Sequence, residues 1–361
     1  MSLTPLSDSE SVAALAARLS TAPFVAMDTE FMRERTYRPQ LCLLQLATPG
    51  EALCVDPLAS IALEPLAPVL ARSSTPKIMH AARQDLEVLW PLFGPVAPVF
   101  DTQIAAALAG MPAQIGYSDL VRRILGVDLK KAETRTDWSK RPLSAAQMRY
   151  AIDDVIHLGA LRDALTLQLE KLGRLTWLEE ELHDLAREDR LFIDPEKAVE
   201  RLRWSAELDS HRARLAQRLA AWRERRAIEK DRPRSWILDD SALRTLVLRV
   251  PRTRLELDNI EDLSPGFREH SGETILDLIS AAELPATLPP PLQRTRPDAQ
   301  LQAKVKNLAE IVQKKAAELE LAPELLSTRR ELESIARGET TAEVLQGWRR
   351  TVIGSELLAA A

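Results

Sequence analysis

The chain has 361 residues, 45% of them hydrophobic, and a formal net charge of −5 from 48 basic and 53 acidic side chains. That length predicts two or three domains with ordinary cores. The charge excludes a uniformly basic coat, so a polyanionic partner has to be met by local patches. In chain order, residues 1–20 read as an amphipathic helix capped by Ser7 or Asp8 rather than a secretory leader. No run of 18 apolar residues follows. A cytoplasmic protein with no membrane segment, and a monomer, is the expectation.

Short apolar segments then alternate with turns: "FVAM", "LCLLQLA", "ALCVD" and "KIMHA". The first three lie too close together for crossover helices, which predicts an antiparallel meander. "ASIALEPLAPVLARSS" is long enough for a crossover helix, which predicts "KIMHA" as a parallel neighbour. Cys42 and Cys54 sit inside these runs, match no zinc spacing and read as reduced core thiols. The expected class is α/β over residues 1–195.

Helical periodicity dominates beyond that point. Residues 196–284 form a predicted helical domain, 285–298 a stiff Pro-rich linker, and 299–361 a second helical domain. Both helical stretches read as long helix, break, short helix, which suggests a diverged repeat. Between Arg201 and Arg254 there are 15 Arg or Lys against 7 Asp or Glu. That is a local basic excess in an acidic chain, suited to phosphate contacts. Lys130, Lys131, Arg135, Lys140 and Arg141 form a second cluster. Trp204, Trp222 and Trp236 accompany the arginines, and helical spacing favours a core role for them over base stacking.

Four acids stand out by position. Asp28 and Glu30 are two apart at the end of an apolar strand, so both side chains leave the same face. Asp85 follows "KIMHA" where strand gives way to helix. Asp154 lies four residues after Tyr150 on a helix opened by Ser144 and Gln147, a capping-box pair, so Tyr150 and Asp154 share a face. Asp101 reads as an N-cap. Each feature alone has a bland reading in solvent or core; it is the combination that matters.

With "MDTEF", "HAARQDLEVL" and "YAIDD" in this order, the chain resembles the ribonuclease D family of four-acid exonucleases, in its tyrosine subclass. "VFDTQIAAAL" and "ETRTDWSKRPLSAAQ" strengthen the likeness. "LAAWRERRAIEKDRPRSWILDDSAL" resembles the HRDC helical module, and the C-terminal stretches resemble that family's last helical region. The resemblance implies a ribonuclease H-like mixed sheet with helices on both faces, then two all-α HRDC-type domains. It implies a 3′–5′ exoribonuclease that acts on tRNA precursors with two divalent ions, Mg²⁺ or Mn²⁺. Asp28, Glu30 and Asp154 would hold the ion that binds the attacking water. Asp28 would also reach the second ion, Asp85 would serve it, and Tyr150 would orient the water. Thr29, His80, Gln84, Arg135, Trp138, Arg223 and Arg226 are the candidate substrate contacts. A DNA exonuclease of the same superfamily and a binding-only protein on a nuclease fold stay open as alternatives.

Overall fold

A computed structural model of the chain describes residues 4–129, 136–281 and 299–361. The chain divides into two compact units. One comprises residues 1–32, 41–191 and 297–361; the other comprises 33–40 and 192–296.

The first unit is built on a five-stranded sheet of order β3-β2-β1-β4-β5. Its strands are β1 (Val25–Met32), β2 (Gln40–Thr48), β3 (Glu51–Val55), β4 (Lys77–Met79) and β5 (Val99–Asp101). β2 and β3 run antiparallel, with Gln45 opposite Cys54. β4 lies parallel to β1, with Val25 opposite Lys77, and β5 lies parallel to β4. The short connection after β1 admits only an antiparallel β2. This is the mixed sheet that the sequence predicts. β1 is central, and its Val25, Ala26 and Met27 are buried.

Helix α1 (Ser9–Leu19) takes Asp8 as its cap, whose carboxylate accepts the Ser11 amide at 2.8 Å. The expected crossover helix after β3 is mostly absent. Two 3₁₀ turns precede a four-residue helix, α2 (Ala67–Leu70). Pro57, Pro65 and Pro68 remove the amides that a continuous helix would need. The next helices are α3 (Arg83–Phe93), α4 (Thr102–Leu108), α5 (Tyr117–Leu125), α6 (Ala145–Ile156), α7 (Leu158–Lys171), α8 (Leu175–His183) and α9 (Glu188–Leu191). α6 opens with the full capping box: Ser144 Oγ accepts the Gln147 amide at 3.2 Å, and Gln147 Oε1 accepts the Ser144 amide at 2.8 Å.

The second unit carries α10 (Ser210–Lys230), α11 (Arg234–Ile237), α12 (Asp240–Arg249), α13 (Arg254–Asp258) and α14 (Pro265–Ala281). Leu215, Leu219, Leu243, Leu246 and Ile275 form its core. The short segment 33–40, which leaves β1, belongs to this unit. Tyr37 donates its hydroxyl to buried Glu224, Arg234 pairs with the same carboxylate, and the Arg234 guanidinium lies 4.9 Å from the Tyr37 ring centroid.

The C-terminal stretch departs from the sequence reading, which sets 299–361 apart as a domain of its own. Here α15 (Ala299–Leu319), α16 (Pro323–Leu326), α17 (Arg329–Ala336), α18 (Gly347–Arg349) and α19 (Ser355–Ala360) belong to the first unit. Leu308, Val312 and Leu357 share one core with Leu120, Leu165 and Leu169. Trp177 of α8 stacks on Trp348 with centroids 4.5 Å apart, and Trp348 Nε1 donates to Glu181 at 2.7 Å. Arg174 donates to the carbonyl of Leu108 at 2.7 Å and of Leu319 at 2.6 Å. Periodicity marks an apolar face but not the partner that covers it.

The expected repeat is visible as a succession of elements. α10–α11–α12 and α15–α16–α17 start at a constant offset of 89 residues: 210 and 299, 234 and 323, 240 and 329. The left-handed residues that end the long helices, Asp231 and Glu320, keep that offset. So do the N-caps Asp239 and Thr328. The linker 285–298 lies outside the described residues.

Candidate active site

β1 carries Asp28 and Glu30 on one face, both partly buried, just past its buried apolar run Val25–Met27. Asp85 stands in the first turn of α3 and is buried. Tyr150 and Asp154 stand one turn apart on α6, which packs against β1 and β3. The Tyr150 hydroxyl is hydrogen bonded to the Asp154 carboxylate.

The acids act on one another. Burial, then the charge of Asp154, pushes the Asp28 carboxyl up to about 8. Burial, then the charges of Asp28, Asp154 and Asp85, pushes Glu30 up to about 9. Burial raises Asp154 to about 7 against the opposing hydrogen bond from Tyr150. Asp85 is raised by burial and by Asp28. Burial and the same carboxylates push the Tyr150 phenol upward, so it stays protonated and can only donate.

Among the described residues, no three His, Cys, Asp or Glu side chains stand at ready metal-ligand spacing. The four acids share one electrostatic neighbourhood. Their chemistry fits hard divalent cations, which take carboxylate oxygens and keep several waters.

Two supports hold Asp85. Thr29, a candidate substrate contact, is 5% exposed; its hydroxyl donates to the Asp85 carboxylate at 2.5 Å. That bond helps to position an acid. Asp101 is the second support. It caps α4 as expected, accepting the Gln103 amide at 2.8 Å and the Ile104 amide at 3.4 Å. It also accepts the amides of Ala81 at 3.0 Å and Ala82 at 2.8 Å, in the turn that launches α3. Ala81 has a φ of 56°, a conformation that costs a non-glycine residue energy and needs such a clamp.

Other candidates fare differently. His80 faces Thr102 Oγ1 at 2.9 Å and the Ile115 carbonyl at 3.0 Å, so both ring nitrogens have protein partners. Gln84 is exposed beside Asp85. Trp138 is buried and packs 6.1 Å from the Tyr150 ring, filling space beneath α6. Arg223 is 6% exposed and donates to Asp240 at 2.6 Å and to the Leu238 carbonyl at 2.9 Å. Arg226 pairs with Glu229 at 2.8 Å on the surface. Arg135 lies outside the described residues.

Two residues escape the sequence reading. Tyr117 donates to the Asp153 carbonyl at 3.0 Å, bracing α6 next to Asp154, and its ring meets His80 edge-on at 5.7 Å. Gln45 is fully buried, with neither amide atom bonded among the described residues. It pairs across the sheet with Cys54, whose thiol burial and the Glu30 charge push up to about 12. Both relations are long-range and leave no local sequence signal.

Residues 3–170 match the family model described as 3′-5′ exonuclease, and residues 212–279 match the HRDC domain. Ribonuclease D of Jannaschia sp. is 39% identical, covering 98% of this chain and 94% of that protein. Ribonuclease D of Gluconacetobacter diazotrophicus is 40% identical, covering 98% and 91%. The crystal structure of Escherichia coli RNase D, described as an exoribonuclease involved in structured RNA processing, superposes with a TM-score of 0.89. It shares 30% identity, with 100% and 98% of the two chains covered. With likeness over nearly its whole length to such enzymes, and the four acids in place on the expected elements, the chain belongs to the ribonuclease D family of 3′–5′ exoribonucleases.

Proposed function

We propose that the chain shortens RNA from its 3′ end by metal-assisted hydrolysis, releasing nucleoside 5′-monophosphates, and that it serves tRNA 3′ maturation as a cytoplasmic monomer. The observation that carries the mechanism is that burial raises Asp28, Glu30, Asp85 and Asp154 alike, while the charge of Asp154 acts on Asp28 and Glu30 and that of Asp28 acts on Glu30 and Asp85. These four side chains would hold two Mg²⁺ or Mn²⁺ ions. Bound ions would supply an activated water and charge stabilisation for the leaving 3′ oxygen. Tyr150, kept protonated, donates a hydrogen bond that orients the nucleophile; it is no base at neutral pH. Thr29 and Asp101 hold Asp85 in place, and Tyr117 braces the Asp154 turn.

One assay tests this. RNA and DNA labelled at either end are incubated with Mg²⁺, Mn²⁺ or chelator, wild type beside Asp28→Asn. The expected result is stepwise 3′ shortening of RNA that needs metal and is lost in the variant. Activity that survives both chelator and substitution would sink the mechanism. A tRNA precursor with extra 3′ nucleotides should be trimmed faster than an unrelated RNA; equal rates would remove the tRNA assignment.

A further inference from the structure

Three of the four site acids have a hydrogen bond of their own. The Thr29 amide serves Asp28, the Thr29 hydroxyl serves Asp85 at 2.5 Å, and the Tyr150 hydroxyl serves Asp154. Glu30 has none among the described residues; only burial and the charges of Asp28, Asp154 and Asp85 act on it. Carboxylates that hold metal ions are as a rule hydrogen bonded in turn, which fixes their orientation. Glu30 therefore lacks a donor that its role would call for.

One buried donor on the adjacent strand is idle. Gln45 of β2 is fully buried, and neither atom of its amide has a partner among the described residues. Such an amide costs stability, because the water it gave up is not replaced. Gln45 stands opposite Cys54, and Ala47 stands opposite Ala52. Cys54, Ala47 and Ala52 share a core with Ala26 of β1 and with Met148 and Ala151 of α6. Opposed residues of an antiparallel pair leave the same face, and so do residues two apart on one strand. Gln45 therefore leaves the sheet on the α6 face, as do Asp28 and Glu30, which follow Ala26 in alternation along β1. β2 lies between β3 and β1. The charge of Glu30 acts across β2 on the Cys54 thiol, and the partner of Cys54 on the strand between them is Gln45.

The chemistry also orients the amide. Cys54 is buried, and its thiol stays protonated at neutral pH. A protonated thiol offers a weak donor, which suits the amide oxygen and leaves the NH2 end for a carboxylate. We propose that Gln45 is a positioning residue of the active site: its Nε2 donates to the Glu30 carboxylate when a divalent ion draws that side chain into a ligand position. The bond is absent from the metal-free fold and present in the loaded one. This rests on the reading that the four acids hold metal ions.

The test uses the full chain and Mn²⁺, whose free fraction is read by electron paramagnetic resonance. Gln45→Met should raise the metal-free denaturant midpoint and yet weaken Mn²⁺ binding roughly 10–100-fold. At a Mn²⁺ concentration that half-saturates the wild type, it should also lower kcat on RNA with KM unchanged. Gln45→Leu should do the same with a different apolar shape. Leu46→Met, at a buried residue on the other face of β2, should leave Mn²⁺ binding unchanged. A merely structural amide would move the midpoint alone. Wild-type Mn²⁺ affinity in Gln45→Met, or an equal loss in Leu46→Met, therefore overturns the role of Gln45 while sparing the metal site. A midpoint that falls in both Gln45 variants also overturns it, since the amide would then have a partner in the metal-free fold already. A wild-type chain that binds no Mn²⁺ overturns the metal reading, and the role of Gln45 with it.

Discussion

At the scale of single residues, the electrostatics set a direction for stability. Burial and neighbouring charge push the folded carboxyls of Asp28, Glu30 and Asp154 up to about 8, 9 and 7, from ordinary values of 3.8, 4.5 and 3.8. The metal-free folded state thus binds more protons than the unfolded chain between those limits, and its stability falls as pH rises through them. Chemical denaturation of metal-free protein should show a midpoint that drops from about pH 5 to pH 9, and added Mn²⁺ should flatten that drop. A midpoint that rises over the same range contradicts the burial of these acids. Tyr150→Phe keeps the ring against Trp138 and loses only the donor. It should lower kcat roughly a hundred-fold with RNA affinity unchanged, as expected for a misoriented nucleophile. Gln45→Met replaces an amide without partners by an apolar side chain of like shape, and should raise stability by about 1 kcal/mol, measured by denaturant midpoint. The four acids and Tyr150 were legible in the sequence because their spacing is tied to a strand and a helix. Thr29, Asp101 and Tyr117 were not legible in their supporting roles, because each role is a bond between segments far apart in the chain. The burial of Arg223 was not legible either: a basic side chain reads as exposed until the partners that hold it are known.

At the scale of elements, the ends of helices do much of the positioning. The capping box at Ser144 starts the helix that carries both Tyr150 and Asp154. Ser144→Ala should cost about 1 kcal/mol of stability and should lower kcat more than it raises KM, since it loosens the helix start below the catalytic turn. Equal kcat at a lower melting temperature would confine the box to stability. The caps at Asp8, Asp101 and Ser144 were legible, because a cap is a local pattern of a few residues. The crossover after β3 was not: length allowed a helix, while three prolines broke it into turns. The strands from β1 to β4 followed from apolar runs and loop length, which together restrict pairing sense.

At the scale of the whole molecule, the main lesson concerns how the units are composed. Deleting residues 200–361, which on sequence grounds removes two independent helical domains and leaves turnover on short RNA, would also strip the cover from Leu165, Leu169 and Trp177. A chain cut after residue 281 should therefore unfold at a lower temperature and bind a hydrophobic dye. An unchanged melting curve would show that the C-terminal helices only decorate the first unit. The helical repeat was legible as a pattern; its two copies are distributed over different units, which no pattern within either copy could indicate.

The first unit is discontinuous, since its C-terminal helices come after the whole of residues 192–296 in the chain. During synthesis the helices that end at Leu191 leave the ribosome about a hundred residues before α15 begins at Ala299. At roughly 5–20 residues per second that interval is about 5–20 s. For that time the apolar face of α7 and α8 is without its cover, so an RNA-degrading centre completes its core only after the module that follows it has been made. A chain whose translation stops early would then release an unfinished fold to proteolysis instead of a free nuclease.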